Sequence, residues 1–476
     1  MLIPLSLCIC YLSRSYFYEV YNNLKFISNI YNIYREYPNI NNNSIDNLTH
    51  SIDKLGIFAI KLVQWGLTRI KLYDQDLNNN FDKLEKYYED CPKHDDSFTY
   101  KTLIKDYNVD FTKYYEFEVI ASGSIAQVYK LTNKENKKNY ALKIVHPNLK
   151  KKLKISKFLI NSCIYLYKFI SDKHLVFLDL SDFFTNIEKQ LDLNQEYIYH
   201  NYFYENHKNK FIYVPKPLAC SENTLIMEYV PGTKFDNTNI SLYKKAKIIQ
   251  NLKMFSLNCY FNQKYIHADL HNGNWKIRFN EKCNYYQIII YDFGLCYDSK
   301  DFDMFKLREY LSEGKIDIMT NQVLHLLIDE NIKRDSDLYK SYKDEFITTM
   351  KKNDYIETMD FTLVIPMVYK FTIDHNLKIN GNLLLLLLLM VVNDNNVSKL
   401  KEKVAHKNNN LENYDYPRMI FYCKENDLYP DLKAHMEKYV EKNKTTQCLF
   451  NYIDEKYGML NSDSDIYSED DITDYD

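Results

Sequence analysis

The spacing of apolar residues predicts a helical segment ahead of a group of strands. Steps of three and four residues place four apolar side chains on one helix face: Leu55, Phe58, Leu62 and Trp65. From residue 117 the pattern changes to short apolar stretches separated by polar turns. These stretches predict strands over residues 117–121, 125–131 and 140–145, and Ser122-Gly123-Ser124 forms the first turn.

The rest of the chain alternates between long helical and short strand-like patterns. Residues 150–206 read as helical, residues 211–229 as strand-rich, and residues 233–457 as mostly helical. Short strands are expected on either side of Asp269 and Asp292. A small sheet lobe followed by a helical lobe is therefore the predicted architecture.

Two apolar stretches bear on membranes. Residues 2–12 are too few to span a bilayer and have no basic residue ahead of them. A buried or interfacial helix and an anchor or import signal both remain open for this stretch. Residues 383–392 are strongly apolar but number only ten, which favours a buried core helix.

Composition narrows the class of protein. The 476 residues are 46% apolar and 26% charged, which is typical of a globular chain. A net charge of −3 argues against a nucleic-acid partner, and the low counts of 9 Gly and 10 Pro favour helices. The ten Cys include no Cys-x-x-Cys pair, so neither a zinc site nor a disulfide framework is indicated.

Asparagine-rich and acidic stretches suggest segment boundaries. The cluster of Asn39, Asn41, Asn42 and Asn43 is typical of a linker. The last 16 residues hold seven acids and no base, which predicts a disordered tail.

The strongest chemical pattern surrounds Asp269. Asn274 lies five residues later, and Asp292 opens an Asp-Phe-Gly after an apolar strand. Phosphoryl transfer needs a carboxylate where the acceptor loses its proton and oxygen ligands for Mg²⁺. This spacing predicts Asp269 at the catalytic position, with Asn274 and Asp292 as magnesium ligands. A metal-hydrolase cluster of His267, Asp269 and His271, or an ordinary polar turn, is the alternative.

Upstream residues fit a nucleotide site. Lys143 follows a strand-turn-strand whose turn, Ser122-Gly123-Ser124, could cover phosphates, and it requires a carboxylate partner. The stretch ending in Pro231-Gly232 resembles a kinase hinge, in which backbone groups near Glu228 and Val230 would bind adenine.

Five separated motifs over residues 51–400 resemble the UbiB-like, aarF-domain atypical kinases. The five motifs are Lys61-Leu-Val-Gln64, Ile120-Ala-Ser-Gly-Ser-Ile-Ala-Gln-Val-Tyr129, Ala141-Leu-Lys-Ile-Val-His-Pro147, Gln190-Leu-Asp-Leu-Asn-Gln-Glu196 and His267-Ala-Asp-Leu-His-Asn-Gly-Asn274. The late stretch from His375 to Val392 is also similar to that family.

The resemblance implies an α+β, protein-kinase-like fold with two lobes and an N-terminal helical extension. The expected parts are an N-terminal segment (1–50), the extension (51–115), an N-lobe with a helical insert (116–232), a helical C-lobe (233–457) and the tail (458–476). It implies ATP and Mg²⁺ as cofactors and a Lys143–Glu196 pair. It also implies Lys61 and Gln64 over the nucleotide, with Asp192 beside them.

The family connection suggests lipid or isoprenoid-quinone metabolism, a possible lipid or membrane partner and an organellar, mitochondrion-like location. A cytoplasmic location follows if residues 2–12 are not a signal, and protein partners are not indicated. The chain departs from the family pattern at Val63, Gln190 and Gly123, which replace Gly, Glu and an Ala-rich loop residue.

Other functions remain open. No Ala-Pro-Glu follows Asp292, which makes a peptide substrate less favoured than a small molecule, a lipid or water. The alternatives are a small-molecule phosphotransferase of the choline or aminoglycoside kinase type, and a non-catalytic, nucleotide-gated scaffold or lipid-binding module.

Overall fold

The computed structural model describes most of the chain up to residue 377. The described residues are 2–36, 41–55, 59–63, 93–170, 181–207, 211–240, 242–271, 273–281, 285–298, 315–327, 335–352, 367–368, 370–372, 374–375 and 377. The predicted core helix over residues 383–392 and the predicted acidic tail lie outside them. Among the helices that are described, none is both long and apolar enough to cross a bilayer.

Ten strands are described in three sheets. Their bounds are β1 Tyr115–Ser122, β2 Ala126–Asn133, β3 Asn139–Val145, β4 Ile212–Tyr213, β5 Pro217–Cys220, β6 Thr224–Glu228, β7 Tyr265–His267, β8 Trp275–Asn280, β9 Tyr285–Ile290 and β10 Cys296–Asp298. The three strands predicted between residues 117 and 145 are confirmed as β1, β2 and β3. The strands expected on either side of Asp269 and Asp292 are also confirmed.

Nine α-helices have described bounds. They are α1 Leu2–Glu36, α2 Asn42–Leu55, α3 Asp96–Tyr107, α4 Leu149–Ile170, α5 Ser181–Gln190, α6 Leu193–Asn206, α7 Leu242–Asn262, α8 Ile316–Leu327 and α9 Asp337–Lys352. Residues 59–63 are also helical.

The small lobe is a five-stranded antiparallel sheet in the order β1-β2-β3-β6-β5. Because successive side chains of a strand point to opposite faces, β3 contributes to two cores. Leu142 and Ile144 pack with Leu103 of α3 on one face. Ala141 and Val145 belong to the core on the other face.

The N-terminal helices form that second core with the sheet. Phe26 of α1 and Ile52 of α2 share it with Leu62 from the helical residues 59–63 and Leu225 of β6. The N-terminal helices are therefore packed against the sheet of the small lobe. The expected boundary between residues 50 and 51 falls inside α2.

The larger lobe positions the two chemical motifs. β8 pairs antiparallel with β9, and β10 pairs antiparallel with β7 so that Cys296 lies opposite His267. Phe203 of α6 and Phe255 of α7 pack with Phe293 in the core beneath them. This pairing brings the loop after β7 and the Asp-Phe-Gly segment after β9 side by side.

The interpretation of the Asn cluster as a linker is wrong for Asn42 and Asn43, which begin α2. Asn41 caps this helix, because its Oδ1 accepts the Asn43 N–H at 3.0 Å. The Glu36 carboxylate accepts the Asn41 N–H at 3.0 Å, which joins α1 to α2. Asparagine is favoured at helix N-caps as well as in linkers, and sequence composition does not separate the two.

Candidate functional site

A buried ion pair joins β3 to α6. The Lys143 Nζ lies 2.7 Å from Oε1 and 2.8 Å from Oε2 of Glu196. The two side chains are only 11% and 2% exposed. Glu196 lies in the first turn of α6, where the helix dipole favours a carboxylate.

Asp292 shares the same ammonium group. Its Oδ2 lies 3.0 Å from the Lys143 Nζ, and its Oδ1 accepts the Gly294 N–H at 2.8 Å. The Asp292 side chain is 38% exposed, far more than that of Glu196. The buried Lys143 ammonium thus contacts both the buried Glu196 carboxylate and the partly exposed Asp292 carboxylate.

The pKa values follow from this sharing. Burial raises the pKa of Glu196 to about 7, although the Lys143 ammonium opposes the shift. Burial alone would raise the pKa of Asp292, but Lys143 and the Gly294 N–H bring it well below its ordinary value. Burial alone would lower the pKa of Lys143, yet the two carboxylates raise it above its ordinary value.

Gly294 fits closely beneath the two carboxylates. A Cβ added at this position would lie 3.1 Å from Oδ1 of Asp292 and 3.2 Å from Oε2 of Glu196. The absence of a side chain therefore lets the Asp-Phe-Gly segment approach the ion pair.

The loop after β7 is tied together by its own polar groups. The Asn274 Nδ2 donates to the Asp269 carbonyl at 2.7 Å, and the Asn274 N–H donates to the His271 carbonyl at 2.9 Å. The Asp269 Oδ2 lies 3.7 Å from the His271 Nε2. Because the Asn274 Nδ2 already donates to the Asp269 carbonyl, the Oδ1 is the side-chain atom that could bind a metal.

His267 connects this loop to the Asp-Phe-Gly segment, a role that the sequence did not assign to it. Its Nε2 lies 2.8 Å from the Asp292 carbonyl, and its Nδ1 accepts the Asp269 N–H at 3.3 Å. Burial lowers the pKa of His267, which favours the neutral ring with the proton on Nε2. The signal in the sequence was its place two residues before Asp269.

The donor set fits Mg²⁺ better than zinc. Asn274 and Asp292 offer hard oxygen ligands, and Mg²⁺ takes its other ligands from water and phosphates. Among the described residues, no group of three or more His, Cys, Asp or Glu side chains is arranged to hold a metal. The alternative of a metal cluster at His267, Asp269 and His271 therefore has no support there.

The hinge contains one contact that sequence reasoning missed. Tyr291, directly before Asp292, donates its hydroxyl to the Val230 carbonyl at 3.0 Å. The Glu228 carboxylate accepts the Tyr213 hydroxyl at 2.9 Å and is thus engaged within the lobe. No backbone carbonyl of the described residues accepts the Val230 N–H.

The turn between β1 and β2 is closed by a backbone hydrogen bond. The Gly123 N–H donates to the Ala126 carbonyl at 3.0 Å, and Ser122 is buried while Ser124 is half-buried. A Cβ added at Gly123 would meet only the Ala126 carbonyl oxygen, at an ordinary 3.7 Å. The turn therefore does not require glycine for steric reasons.

The residues that the resemblance implies over and beside the nucleotide are only partly described. Lys61 lies within electrostatic reach of Asp292 and helps to lower the pKa of that carboxyl. Gln64 lies outside the described residues. Asp192 caps α6, since its carboxylate accepts the Asn194 N–H at 3.0 Å.

Comparisons with known proteins agree with this geometry. Residues 89–322 match the model of the ABC1 atypical kinase-like domain. The probable serine/threonine-protein kinase abkC of Dictyostelium discoideum is 30% identical over 257 residues, covering 51% of this chain and 36% of that protein. The mitochondrial ABC1 family protein YPL109C of Saccharomyces cerevisiae is 29% identical over 266 residues, covering 49% and 39% respectively.

A bacterial relative carries the UbiB name. The probable protein kinase UbiB of Blochmanniella pennsylvanica is 27% identical over 175 residues, covering 35% of this chain and 32% of that protein. The chain thus spans well under half the length of these three relatives. The solved structure of Rv3197 with erythromycin from Mycobacterium tuberculosis matches with a TM-score of 0.44 and 17% identity, over 66% of this chain and 83% of that one.

The family assignment rests on the matched domain and on the names of its relatives. The sheet lobe, the helical lobe and the N-terminal helices agree with the α+β, kinase-like fold that the sequence predicts, and that prediction is confirmed. The chain therefore carries an ABC1 atypical kinase-like domain and is similar to the UbiB-like ABC1 kinases.

Proposed function

We propose that this chain binds ATP with Mg²⁺ and transfers or hydrolyses its γ-phosphate. The observation that carries the proposal is the single buried ammonium of Lys143 held by both Glu196 and Asp292. A kinase-type site needs this lysine fixed by a carboxylate and needs a second carboxylate close to the phosphates.

Each residue has a separate task in the proposal. Lys143, oriented by Glu196, binds the α- and β-phosphates, and the Asp292 oxygen now in contact with it turns to the metal. Asn274 and Asp292 hold Mg²⁺, which when bound neutralises phosphate charge. Asp269 accepts the proton of the acceptor.

The remaining predicted residues contribute to binding. The turn of Ser122, Gly123 and Ser124 covers the phosphates, and the backbone at Glu228 and Val230 receives adenine. Lys61 and Gln64 lie over the nucleotide, with Asp192 as their neighbour. The interaction between Lys61 and Asp292 supports this part of the proposal.

We further propose a lipid or isoprenoid-quinone acceptor or effector in place of a peptide. The absence of an Ala-Pro-Glu in the sequence supports this choice, because that segment docks peptides in protein kinases. The relative named as mitochondrial supports an organellar or membrane-associated location.

The test is ADP production by the full chain with and without Mg²⁺, and with and without vesicles of anionic lipid containing a quinone. We expect Mg²⁺-dependent ADP release that rises when vesicles are present. ATP binding without turnover under every condition would instead favour the nucleotide-gated scaffold. Release that only a soluble hydroxylated metabolite stimulates would favour the small-molecule phosphotransferase.

A further inference from the structure

A chain of polar side chains in close contact runs from the start of α3 to the turn that is proposed to cover the phosphates. The contacts begin at the exposed Asp96 and cross the buried hydroxyls of Tyr129 and Thr99 before they reach two histidines. In order, the distances are 2.7 Å (Asp96–Tyr129), 2.9 Å (Tyr129–Thr99), 2.8 Å (Thr99–His94), 2.7 Å (His94–His146) and 3.0 Å (His146–Gly123 carbonyl).

The last contact fixes the tautomers of both rings. The Gly123 carbonyl can only accept, so the His146 Nε2 carries the proton. In the neutral ring the Nδ1 of His146 is then an acceptor, and the Nδ1 of His94, 2.7 Å away, must be the donor. The Nε2 of His94 in turn accepts from the Thr99 hydroxyl. Because the Tyr129 hydroxyl donates to Asp96, no proton lies between Tyr129 and Thr99, and the continuous hydrogen bonds begin at Thr99. Burial lowers the pKa of both histidines, which keeps the rings neutral.

His146 holds the turn at two carbonyls. Its backbone N–H donates to the Ile125 carbonyl at 2.9 Å, in addition to the bond from its ring to the Gly123 carbonyl. These carbonyls lie on either side of Ser124. Because the C=O and N–H of a trans peptide point in opposite directions, the Ser124 N–H points away from His146. No described residue accepts that N–H.

A free backbone N–H in a tight turn is a group that binds phosphate. We propose that His146 is a positioning residue that aims the Ser124 N–H at a nucleotide phosphate, with its ring oriented by the hydrogen bond from His94. The inference rests on the proposed function and adds a link from α3, outside the sheet, to the phosphate turn. The affinity for ATP should therefore depend on His146, whereas the affinity for a ligand without phosphates should not.

Gln127 bonds to two members of this chain of contacts, His94 and Tyr129. Its Oε1 accepts the His94 backbone N–H at 2.8 Å, and its Nε2 donates to the Tyr129 hydroxyl at 2.6 Å. Gln127 and Tyr129 are fully buried. Gln127 therefore connects the backbone of His94 to the side chain of Tyr129.

The experiment compares the binding of ATP and of adenosine to the full chain, in the presence of Mg²⁺. His146→Phe keeps an aromatic ring and the backbone bond but loses the bond to Gly123. His146→Gln restores a donor near the Nε2 position, and His94→Phe removes the ring that donates to the His146 Nδ1. Tyr107→Phe is the matched control, since it removes a hydroxyl bonded to Thr224 at 2.8 Å in the same lobe.

We expect His146→Phe to raise the Kd for ATP about tenfold and the Kd for adenosine less than twofold, the effect of one lost hydrogen bond at the phosphates. His94→Phe should raise the Kd for ATP about threefold, while His146→Gln and Tyr107→Phe stay near the unsubstituted chain. Equal weakening of ATP and adenosine, or no effect of either histidine variant, would overturn the inference alone. An unsubstituted chain that binds neither ligand would overturn the proposed function as well.

Discussion

At the scale of single residues, the site depends on the difference between two carboxylates that share one ammonium group. Glu196 is sealed at 2% exposure, and Asp292 is open at 38%. A cation arriving from solvent can reach only the second. Loss of Lys143 would leave the buried Glu196 carboxylate without the cation that contacts it.

Lys143→Met should destabilise the chain by roughly 3–5 kcal/mol, because removing one partner leaves buried charge uncompensated. Lys130→Met on the neighbouring strand is the control, since Lys130 meets the exposed Glu118 at 3.5 Å. That surface pair should contribute less than about 1 kcal/mol. Urea unfolding of both variants measures the difference, and equal losses would refute the special place of Lys143.

Gly294→Ala should destabilise the chain by about 1–3 kcal/mol, since its Cβ would press on two carboxylate oxygens that the ion pair holds in place. Gly123→Ala is the matched control. Its Cβ would meet a single backbone oxygen at 3.7 Å, so we expect a change within about 0.5 kcal/mol. Thermal unfolding of the two variants decides the point, and a harmless Gly294→Ala would contradict the close packing described here.

At the scale of elements, patterns that are local in the chain were predictable and contacts between distant segments were not. The strands β1 to β3 follow from alternation, and the Asp269–Asn274 spacing lies within one loop. The pairing of His94 with His146 joins side chains 52 residues apart, and the bond from Tyr291 to Val230 spans 61. A lone histidine or tyrosine carries no signal in the sequence until the fold supplies its partner.

At the scale of the whole molecule, buried neutral histidines set the response to acid. Burial lowers the pKa of His200 to about 4 and that of His207 to about 3, and partial burial lowers that of the half-buried His94 to about 4, from an ordinary 6.5. Below pH 6.5 these histidines bind protons in the unfolded chain but stay neutral in the folded chain, so the free energy of unfolding falls as the pH falls. Glu196 has the opposite sign, because its raised pKa costs stability as the pH rises toward 7. The combined effect of the three histidines on the free energy of unfolding is larger than that of Glu196.

The free energy of unfolding should therefore be lower at pH 5 than at pH 7. Below pH 6.5, each of the two buried imidazoles, His200 and His207, contributes about 1.4 kcal/mol per pH unit. Urea unfolding at the two pH values measures the fall, and His207→Phe, which keeps a ring against Phe255, should make it smaller. A chain that is equally stable at both values would contradict the burial of neutral histidines.

The proposed function requires that ATP turnover at this site depends on a metal ion bound by Asp292. The most direct test is Mg²⁺-dependent ADP production by the full chain and by Asp292→Asn. Asp317→Asn is the control, because Asp317 is 76% exposed and pairs only with Lys343 among the described ion pairs. We expect Asp292→Asn to lower turnover at least a hundredfold, and Asp317→Asn to leave it unchanged. Turnover by Asp292→Asn equal to that of the unsubstituted chain would contradict the account.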